Sequence, residues 1–177
     1  MIYKKTWKYV LFKDDLGLGA NHVFFRPKAV KDFSDVPRGS VGGIVMHYRN
    51  LSQKGDCWVY DRAWVYDYAV ISENAKIFNR VQVRGYSTVT DNAKVRRHAQ
   101  VSENAIVSGN AKIDDNADIS GNAVVTDNAV VCDSAKVFEN AKVYGNALVT
   151  NSAMVANNAH VGGFNVICGN MRVDYDI

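Results

Sequence analysis

Basic and aromatic side chains recur at intervals of eighteen residues in the first half of the chain. Lys76 and Lys94 are one such pair, and Tyr60 and Phe78 are another. Cationic groups bind anions and aromatic rings stack on planar groups, so this pattern favours an anionic ligand, a nucleic-acid strand or an acidic protein surface. The predicted binding site consists of Tyr60, Arg62, Lys76, Phe78, Arg80, Lys94, Arg96, Arg97 and His98. The alternative interpretation is a solvated basic side whose aromatic residues seal the first coils.

The spacing of eighteen arises from a six-residue repeat that runs from Cys57 to Asp176. The third residue is Val or Ile in all twenty units, the first is Ala in fifteen and the last is Asn in eleven. In an extended segment, residues two apart share a face, so the first and third residues should point inward and the second and fourth outward. The fifth and sixth residues, mostly Gly, Asp or Glu followed by Asn, predict a turn with left-handed backbone angles.

Three such units predict a triangular coil, and successive coils should pair as parallel strands. Twenty units make about 6.7 coils. We therefore predict an all-β fold, a parallel β-helix with a small N-terminal β cap. The cap and the segment leading into the repeat comprise residues 1–56, and the β-helix comprises residues 57–177. Within the cap, residues 7–12 and 21–26 alternate enough to form two strands joined by a loop at 13–20.

Three segments around the start of the repeat carry a resemblance to known proteins. They are Gly39-Ser-Val-Gly-Gly-Ile44, Asn50-Leu-Ser-Gln53 and Asp56-Cys-Trp-Val-Tyr-Asp-Arg-Ala63. The repeat resembles the hexapeptide-repeat, left-handed β-helix superfamily, and these segments resemble its YdcK-like and prophage-borne members over residues 31–176. The left-handed sense is implied by this resemblance alone. Gly42-Gly43 predicts a turn, and the chain departs from the subfamily at Val45-Met-His-Tyr-Arg49, where acidic residues are usual.

The resemblance also raises the question of catalysis. Acyltransferases of this superfamily generally use a His as general base and a loop or extension that encloses the acyl-CoA. His98 or His160 would be that base here, with acetyl-CoA as the cofactor, although each is equally a surface substitution. No loop interrupts the repeat, and no two His residues are five apart, as a zinc carbonic anhydrase of this scaffold requires. We therefore predict no catalytic residue, metal or cofactor, and keep the acyltransferase as an alternative.

One outer face carries no charge over four successive coils. Its residues are Val70, Ser72, Thr88, Thr90, Ile106, Ser108, Val124 and Thr126. A flat, uncharged, β-branched surface of this height favours burial against another surface. We predict a homo-oligomer that associates through this face, with the trimer favoured by the resemblance.

Composition sets further bounds. No apolar run reaches eighteen residues and residues 1–8 lack a signal-peptide pattern, which predicts a cytoplasmic protein without a membrane segment. The three Cys cannot all pair, and we interpret them as structural. Lys and Arg outnumber Asp and Glu by seventeen to nine in residues 1–98, whereas the ratio is four to nine in residues 99–177. The chain is thus basic towards one end and acidic towards the other.

These observations predict a non-catalytic, oligomeric β-solenoid that binds a host protein or an anionic ligand. The resemblance implies a phage or prophage origin, where such a binder could act against antiviral defence. One alternative is an acyl-CoA-dependent acyltransferase. The other is a structural phage component assembled end to end, as the charge polarity would favour.

Overall fold

The computed structural model describes residues 7–14 and 23–177 of the chain. Three parallel sheets run along the molecule, and each strand pairs with strands eighteen residues before and after it. Lys94, for example, lies beside Lys76 on one side and Lys112 on the other. The sheets form a β-solenoid, which confirms the predicted all-β fold and its eighteen-residue coil.

The strands of the described residues are short in the solenoid and longer in the cap. In chain order they are β1 (Tyr9–Asp14), β2 (Phe24–Ala29), β3 (Ile44–Val45), β4 (Trp58–Val59), β5 (Trp64–Val65), β6 (Val70–Ile71), β7 (Lys76–Ile77), β8 (Gln82–Val83), β9 (Thr88–Val89), β10 (Lys94–Val95), β11 (Gln100–Val101), β12 (Ile106–Val107), β13 (Lys112–Ile113), β14 (Asp118–Ile119), β15 (Val124–Val125), β16 (Val130–Val131), β17 (Lys136–Val137), β18 (Lys142–Val143), β19 (Leu148–Val149), β20 (Met154–Val155), β21 (His160–Val161), β22 (Val166–Ile167) and β23 (Arg172–Val173). A single 3-10 turn in these residues spans Tyr48–Asn50.

Each sheet forms one outer face of the solenoid. The basic face consists of β4, β7, β10, β13, β16, β19 and β22, and the neutral face of β6, β9, β12, β15, β18 and β21. The mixed face consists of β5, β8, β11, β14, β17, β20 and β23, and it continues through β3 into the antiparallel pair of β2 and β1. The cap is therefore an extension of one face of the solenoid.

The repeat places its small and β-branched residues in the interior. Every third-position Val or Ile from Val59 to Val173 is at most 3% exposed, and the fifteen first-position Ala residues are fully buried. Alanine leaves room for the β-branched residue two positions later, and the two columns are buried together in one hydrophobic core. The Val and Ile column carries no polar group, and the chemistry of the chain lies on the outside.

The turns differ from the prediction at the sixth position. From Asp61 to Gly169, the fifth residue of every unit has a positive φ between 53° and 71°, whereas the sixth does not. The sixth-position Asn residues instead form amide ladders along two edges of the solenoid. Side-chain bonds of 2.9–3.2 Å join successive members of the series Asn74, Asn92, Asn110, Asn128, Asn146 and of the series Asn104, Asn122, Asn140, Asn158.

The cap strands lie two to three residues later than the prediction, because Lys8 and Tyr9 pack onto the end of the solenoid. The Lys8 ammonium donates to the carbonyls of Gly55 and Cys57 at 3.1 and 2.9 Å, and the buried Tyr9 hydroxyl donates to the Leu51 carbonyl. Of the predicted loop at 13–20, residues 13 and 14 belong to β1 and the rest lie outside the described residues, as do Asn21 and His22.

Strand pairing begins before the first regular unit. Ile44 lies beside Trp64, and Leu51 bridges to Ile71. The predicted turn at Gly42-Gly43 is wrong, because both residues lie in an extended approach to β3. A Cβ atom at Gly43 would stand 2.5 Å from the Ala63 carbonyl oxygen, so glycine is needed here for close contact with the first coil.

The three cysteines Cys57, Cys132 and Cys168 are free thiols. Among the described residues, no helix is long and apolar enough to cross a lipid bilayer.

Candidate binding surfaces

The basic face brings the predicted cations and aromatic residues together at its N-terminal end. Lys76 and Lys94 are neighbours on paired strands. The rings of Tyr60 and Phe78 stack with their centroids 4.4 Å apart and their planes at 15°. The periodicity alone brings these residues together, because each pair differs by one coil.

The segment between β2 and β3, residues 30–43, here called the cap loop, occupies the first part of this surface. Asp35 forms an ion pair with Lys76 and accepts a hydrogen bond of 2.8 Å from the Tyr60 hydroxyl. Burial opposes ionisation of Asp35, but the hydrogen bonds from Lys76 and Tyr60 outweigh it and lower its pKa to about 2. Burial and the same contact with Asp35 raise the pKa of Tyr60. The Tyr60 and Phe78 pair and Lys76 therefore hold the cap loop in place.

Two further predicted cations are paired with carboxylates one coil away. Arg96 forms an ion pair with Asp114, and Arg97 contacts both Asp114 and Asp115. The hydrogen bond that Arg97 donates to Asp115 and the charges of both carboxylates raise the pKa of Arg97. Asp114 is 8% exposed, so few groups other than these two arginines can pair with its carboxylate.

The remaining predicted cations are Arg62, Arg80 and Lys94, and His98 lies beside them. All four are exposed, and within residues 7–14 and 23–177 none of the three cations has a carboxylate within 4 Å. Arg62, Arg80 and His98 occupy the sixth position of a unit in three successive coils, on the edge between the basic and mixed faces. The part of the predicted site with unpaired charge is this edge and the adjacent Lys94.

The neutral face has the composition that the sequence predicts, and its hydroxyl groups are internally bonded. Ser72 donates to Thr90 at 3.0 Å, and Ser108 donates to Thr126 at 2.9 Å. Ile106 is 40% exposed, and Val70, Thr88 and Val124 are partly exposed beside it. Because the hydroxyls of each pair bond to one another, less hydration is lost when the face is covered.

An exposed aromatic pair borders the neutral face at its N-terminal end. Tyr68 and Tyr86 stack with centroids 4.9 Å apart and planes at 4°, and they are 53% and 66% exposed. Both occupy the sixth position on the edge between the mixed and neutral faces, where the Asn104 ladder follows. The sequence analysis did not single them out, although their spacing of eighteen is the signal that identified Tyr60 and Phe78.

The two candidate catalytic histidines lie on different parts of the surface. His98 is exposed on the edge between the basic and mixed faces, whereas His160 is partly exposed on the neutral face beside Lys142. The described side chains include no group of three His, Cys, Asp or Glu residues that could hold a metal ion.

Stacked six-residue units around a Val and Ile column define the class of this protein, a hexapeptide-repeat β-solenoid. The family described as YdcK β-solenoid repeat matches residues 117–133 and 141–157. A curated relative, the uncharacterized acetyltransferase YdcK of Escherichia coli (strain K12), is 44% identical over 50 residues, which are 28% of this chain and 15% of the relative. The resemblance to YdcK-like hexapeptide-repeat proteins is thereby confirmed for the repeat.

Proposed function

We propose that this chain is a self-associating β-solenoid binding protein. In this proposal the neutral face joins copies of the chain, and the edge with Arg62, Arg80 and Lys94 binds an acidic partner. The observation that carries the proposal is the absence of charge at Val70, Ser72, Thr88, Thr90, Ile106, Ser108, Val124 and Thr126, on a face bordered by exposed tyrosines.

Surface chemistry supports self-association. Interfaces are depleted in charged residues at their centre and enriched in tyrosine, and the neutral face with Tyr68 and Tyr86 has both properties. A repeated face of one chain matches its own copies under rotational symmetry, which favours a closed homo-oligomer. A trimer is the form that the resemblance implies.

The test is the molar mass in solution, measured by size-exclusion chromatography with light scattering. We expect an oligomer, and we expect Ile106→Lys to produce monomers because it buries a charge at the interface. Gln100→Lys is the matched control, since Gln100 is exposed at the same position of the preceding unit on the mixed face. A monomeric wild-type mass, or an oligomer unchanged by Ile106→Lys, would contradict the proposal. Salt-sensitive growth beyond a closed trimer would instead favour the structural phage component.

Binding of an acidic partner is tested with two polyanionic probes, a single-stranded oligonucleotide and poly-glutamate. We expect Arg80→Glu to weaken binding more than Lys136→Glu, which makes the same change of charge on the mixed face. Equal effects of the two variants would show that binding depends on net charge alone and would contradict the proposed binding site on this edge. A difference seen with the oligonucleotide alone would identify the partner as a nucleic acid. The phage origin and a role against host defence stay predictions.

Acyl transfer is the second candidate function, and the name of the YdcK relative, an uncharacterized acetyltransferase, favours it. The aligned segment spans 15% of that relative, so its activity is a proposal for this chain. Calorimetric titration with acetyl-CoA tests it, with His98→Ala and His160→Ala to identify the base. Absence of heat and of a thermal shift at millimolar acetyl-CoA would exclude this candidate.

A further inference from the structure

We propose that a cleft between the cap and the first coil binds a small organic anion with an apolar body, of the aryl or acyl carboxylate class. The cleft has a volume of about 500 Å³, within the usual range for small-molecule sites. Phe25, Met46 and Tyr68 supply its apolar wall, and His47, Arg49 and Asp67 its polar groups. It lies apart from the edge that carries Arg62 and Arg80, and it shares Tyr68 with the border of the neutral face.

Arg49 is the cationic group of this cleft, and no carboxylate of the described residues pairs with its guanidinium. The guanidinium carbon lies 5.7 Å from the centroid of the Tyr68 ring, which in turn stacks on Tyr86. In the described part of the chain no carboxylate lies within 4 Å of Arg49, whereas Arg96, Arg97 and Arg172 are all paired. The Arg49 Nε atom donates to His47 Nδ1 at 3.4 Å, and the Tyr68 ring orients the guanidinium, so the two terminal nitrogens of this planar fork remain open to a carboxylate.

The neighbouring Asp67 carboxylate lies more than 4 Å from the Arg49 guanidinium and bonds to the backbone of the next coil. Its Oδ2 atom accepts a hydrogen bond of 3.2 Å from the amide of Gly85 in the next coil. His47 adds a second donor to the cleft. Its Nδ1 atom accepts from the backbone amide of Arg49 at 3.2 Å, so in the neutral ring the proton resides on Nε2.

The segment that carries His47 and Arg49 is held rigidly by the buried Asn50. The Asn50 amide oxygen accepts from the backbone amides of Met46 and His47 at 3.1 and 2.6 Å. Its amide nitrogen donates to the carbonyls of Asp67 and Ala69 at 3.1 and 2.8 Å. Four bonds from one buried side chain fix the 3-10 turn to the coil that carries Tyr68, so the cleft is formed before any ligand binds.

The chemistry of the walls selects the class of ligand. A carboxylate can accept hydrogen bonds from the Arg49 fork, and an aryl or acyl body can cover Phe25 and Met46. An amine of the same shape would place its charge against Arg49, and a short carboxylate without a body would leave the apolar wall exposed.

The test compares three probes by NMR on the full chain with labelled methionine methyl groups. We expect 3-phenylpropionate to shift the Met46 methyl resonance, which Met46→Leu identifies, whereas 3-phenylpropylamine and propionate leave it unchanged at the same concentration. We expect Arg49→Gln to weaken 3-phenylpropionate binding about tenfold, because a charge-assisted hydrogen bond is lost. The matched control is Arg38→Gln, an exposed arginine outside the cleft with no carboxylate within 4 Å of its guanidinium among the described residues, which should leave the affinity unchanged.

Circular dichroism and the spectrum of the other methionine methyl groups report whether Arg49→Gln is folded. An unshifted Met46 methyl, equal shifts by the amine and the carboxylate, or an affinity that Arg49→Gln does not change would each overturn the proposal.

Discussion

At the scale of the residue, Asp127 shows how one residue can form a turn in its own coil and bond to the next coil. Its backbone has a φ of 58°, and its Oδ2 atom accepts a hydrogen bond of 2.9 Å from the amide of Gly145 in the next coil. Asp67, Asp91 and Asp133 make the same contact with the coil above them. An acidic residue is thus suited to the fifth position because it tolerates the left-handed conformation and also satisfies a neighbouring amide.

Substitution of Asp127 can separate these two contributions. We expect Asp127→Ala to lower the free energy of unfolding by about 2 kcal/mol, because it loses a hydrogen bond and places alanine in a left-handed conformation. Asp127→Gly should cost about 1 kcal/mol or less, since glycine accepts this backbone freely. Urea denaturation measures both values, and equal costs for the two variants would refute the account.

Asp35 gives a pH dependence. Its pKa is about 2 in the folded protein and lies near 3.8 in the unfolded chain, so it contributes stability above pH 3.8 that is lost as the pH falls towards 2. Its side chain is 55% exposed, and solvent screening limits the effect to about 1 kcal/mol. Asp35→Asn should therefore destabilise the protein at pH 6 and much less at pH 2. The measurement is thermal unfolding across this range, with Asp174→Asn as the control at the opposite end of the solenoid.

The paired cations show which contacts follow from the repeat and which depend on the fold of the cap. Arg96 and Asp114 differ by eighteen, so the stacking rule that placed the cations together could also have identified Asp114 as a counter-ion, which the sequence analysis did not do. Lys76 and Asp35 follow no such rule. Their contact depends on how the cap loop folds onto the basic face, and no periodicity extends into that loop.

At the scale of the element, the asparagine ladders join successive coils along two edges of the solenoid. The amide of Asn110 donates to Asn128 and accepts from Asn92 at 3.1 and 3.2 Å. An amide side chain can do both because it carries a donor and an acceptor, and a stack of identical side chains repeats the pair at each coil. This accounts for asparagine at the sixth position, where the backbone needs no special conformation.

The ladders predict that the same Asn→Ala substitution lowers the free energy of unfolding by different amounts on different edges of the solenoid. Asn110→Ala should lower the free energy of unfolding by about 1 kcal/mol, since two partly solvated amide bonds are lost. Asn116→Ala is the matched control: Asn116 is exposed at the same position of the next unit but makes no side-chain hydrogen bond within the described residues, so its cost should be below about 0.5 kcal/mol. Urea denaturation of both variants would show this difference, and equal costs would mean that the ladders contribute nothing.

At the scale of the whole molecule, the cap protects one end of a quasi-linear array. Each coil contacts only its neighbours, so opening of the array is expected to begin at an end that is poorly covered. Tyr9 lies fully buried over this end, where its ring meets the edge of Trp58 at a centroid distance of 6.0 Å.

Loss of the Tyr9 ring should therefore release the first coil but not the middle of the solenoid. We expect Tyr9→Ala to accelerate hydrogen exchange at the amides of Trp58 and Tyr60 about a hundredfold, because removing a buried aromatic ring costs about 3 kcal/mol. The amide of Cys132, several coils away, should keep its protection. Phe12→Ala on the same strand, where the ring is 40% exposed, is the control for unspecific effects. Uniform acceleration along the chain would show that the solenoid unfolds as one unit.

The sequence by itself determined the coil, the inward columns and the membership of each outer face, because one period fixes which residues stack and which point to solvent. It therefore predicted that the neutral face carries no charge over the four coils from Val70 to Thr126 and that Tyr60, Phe78 and the cations share one side. The tertiary structure decided how the irregular residues 7–14 and 23–56 fold onto that scaffold. They neutralise Lys76 and cover Tyr60 and Trp58. They also bring Arg49 and Phe25 to the Tyr68 edge, a placement that no repeat encodes because it depends on packing between segments of unrelated sequence.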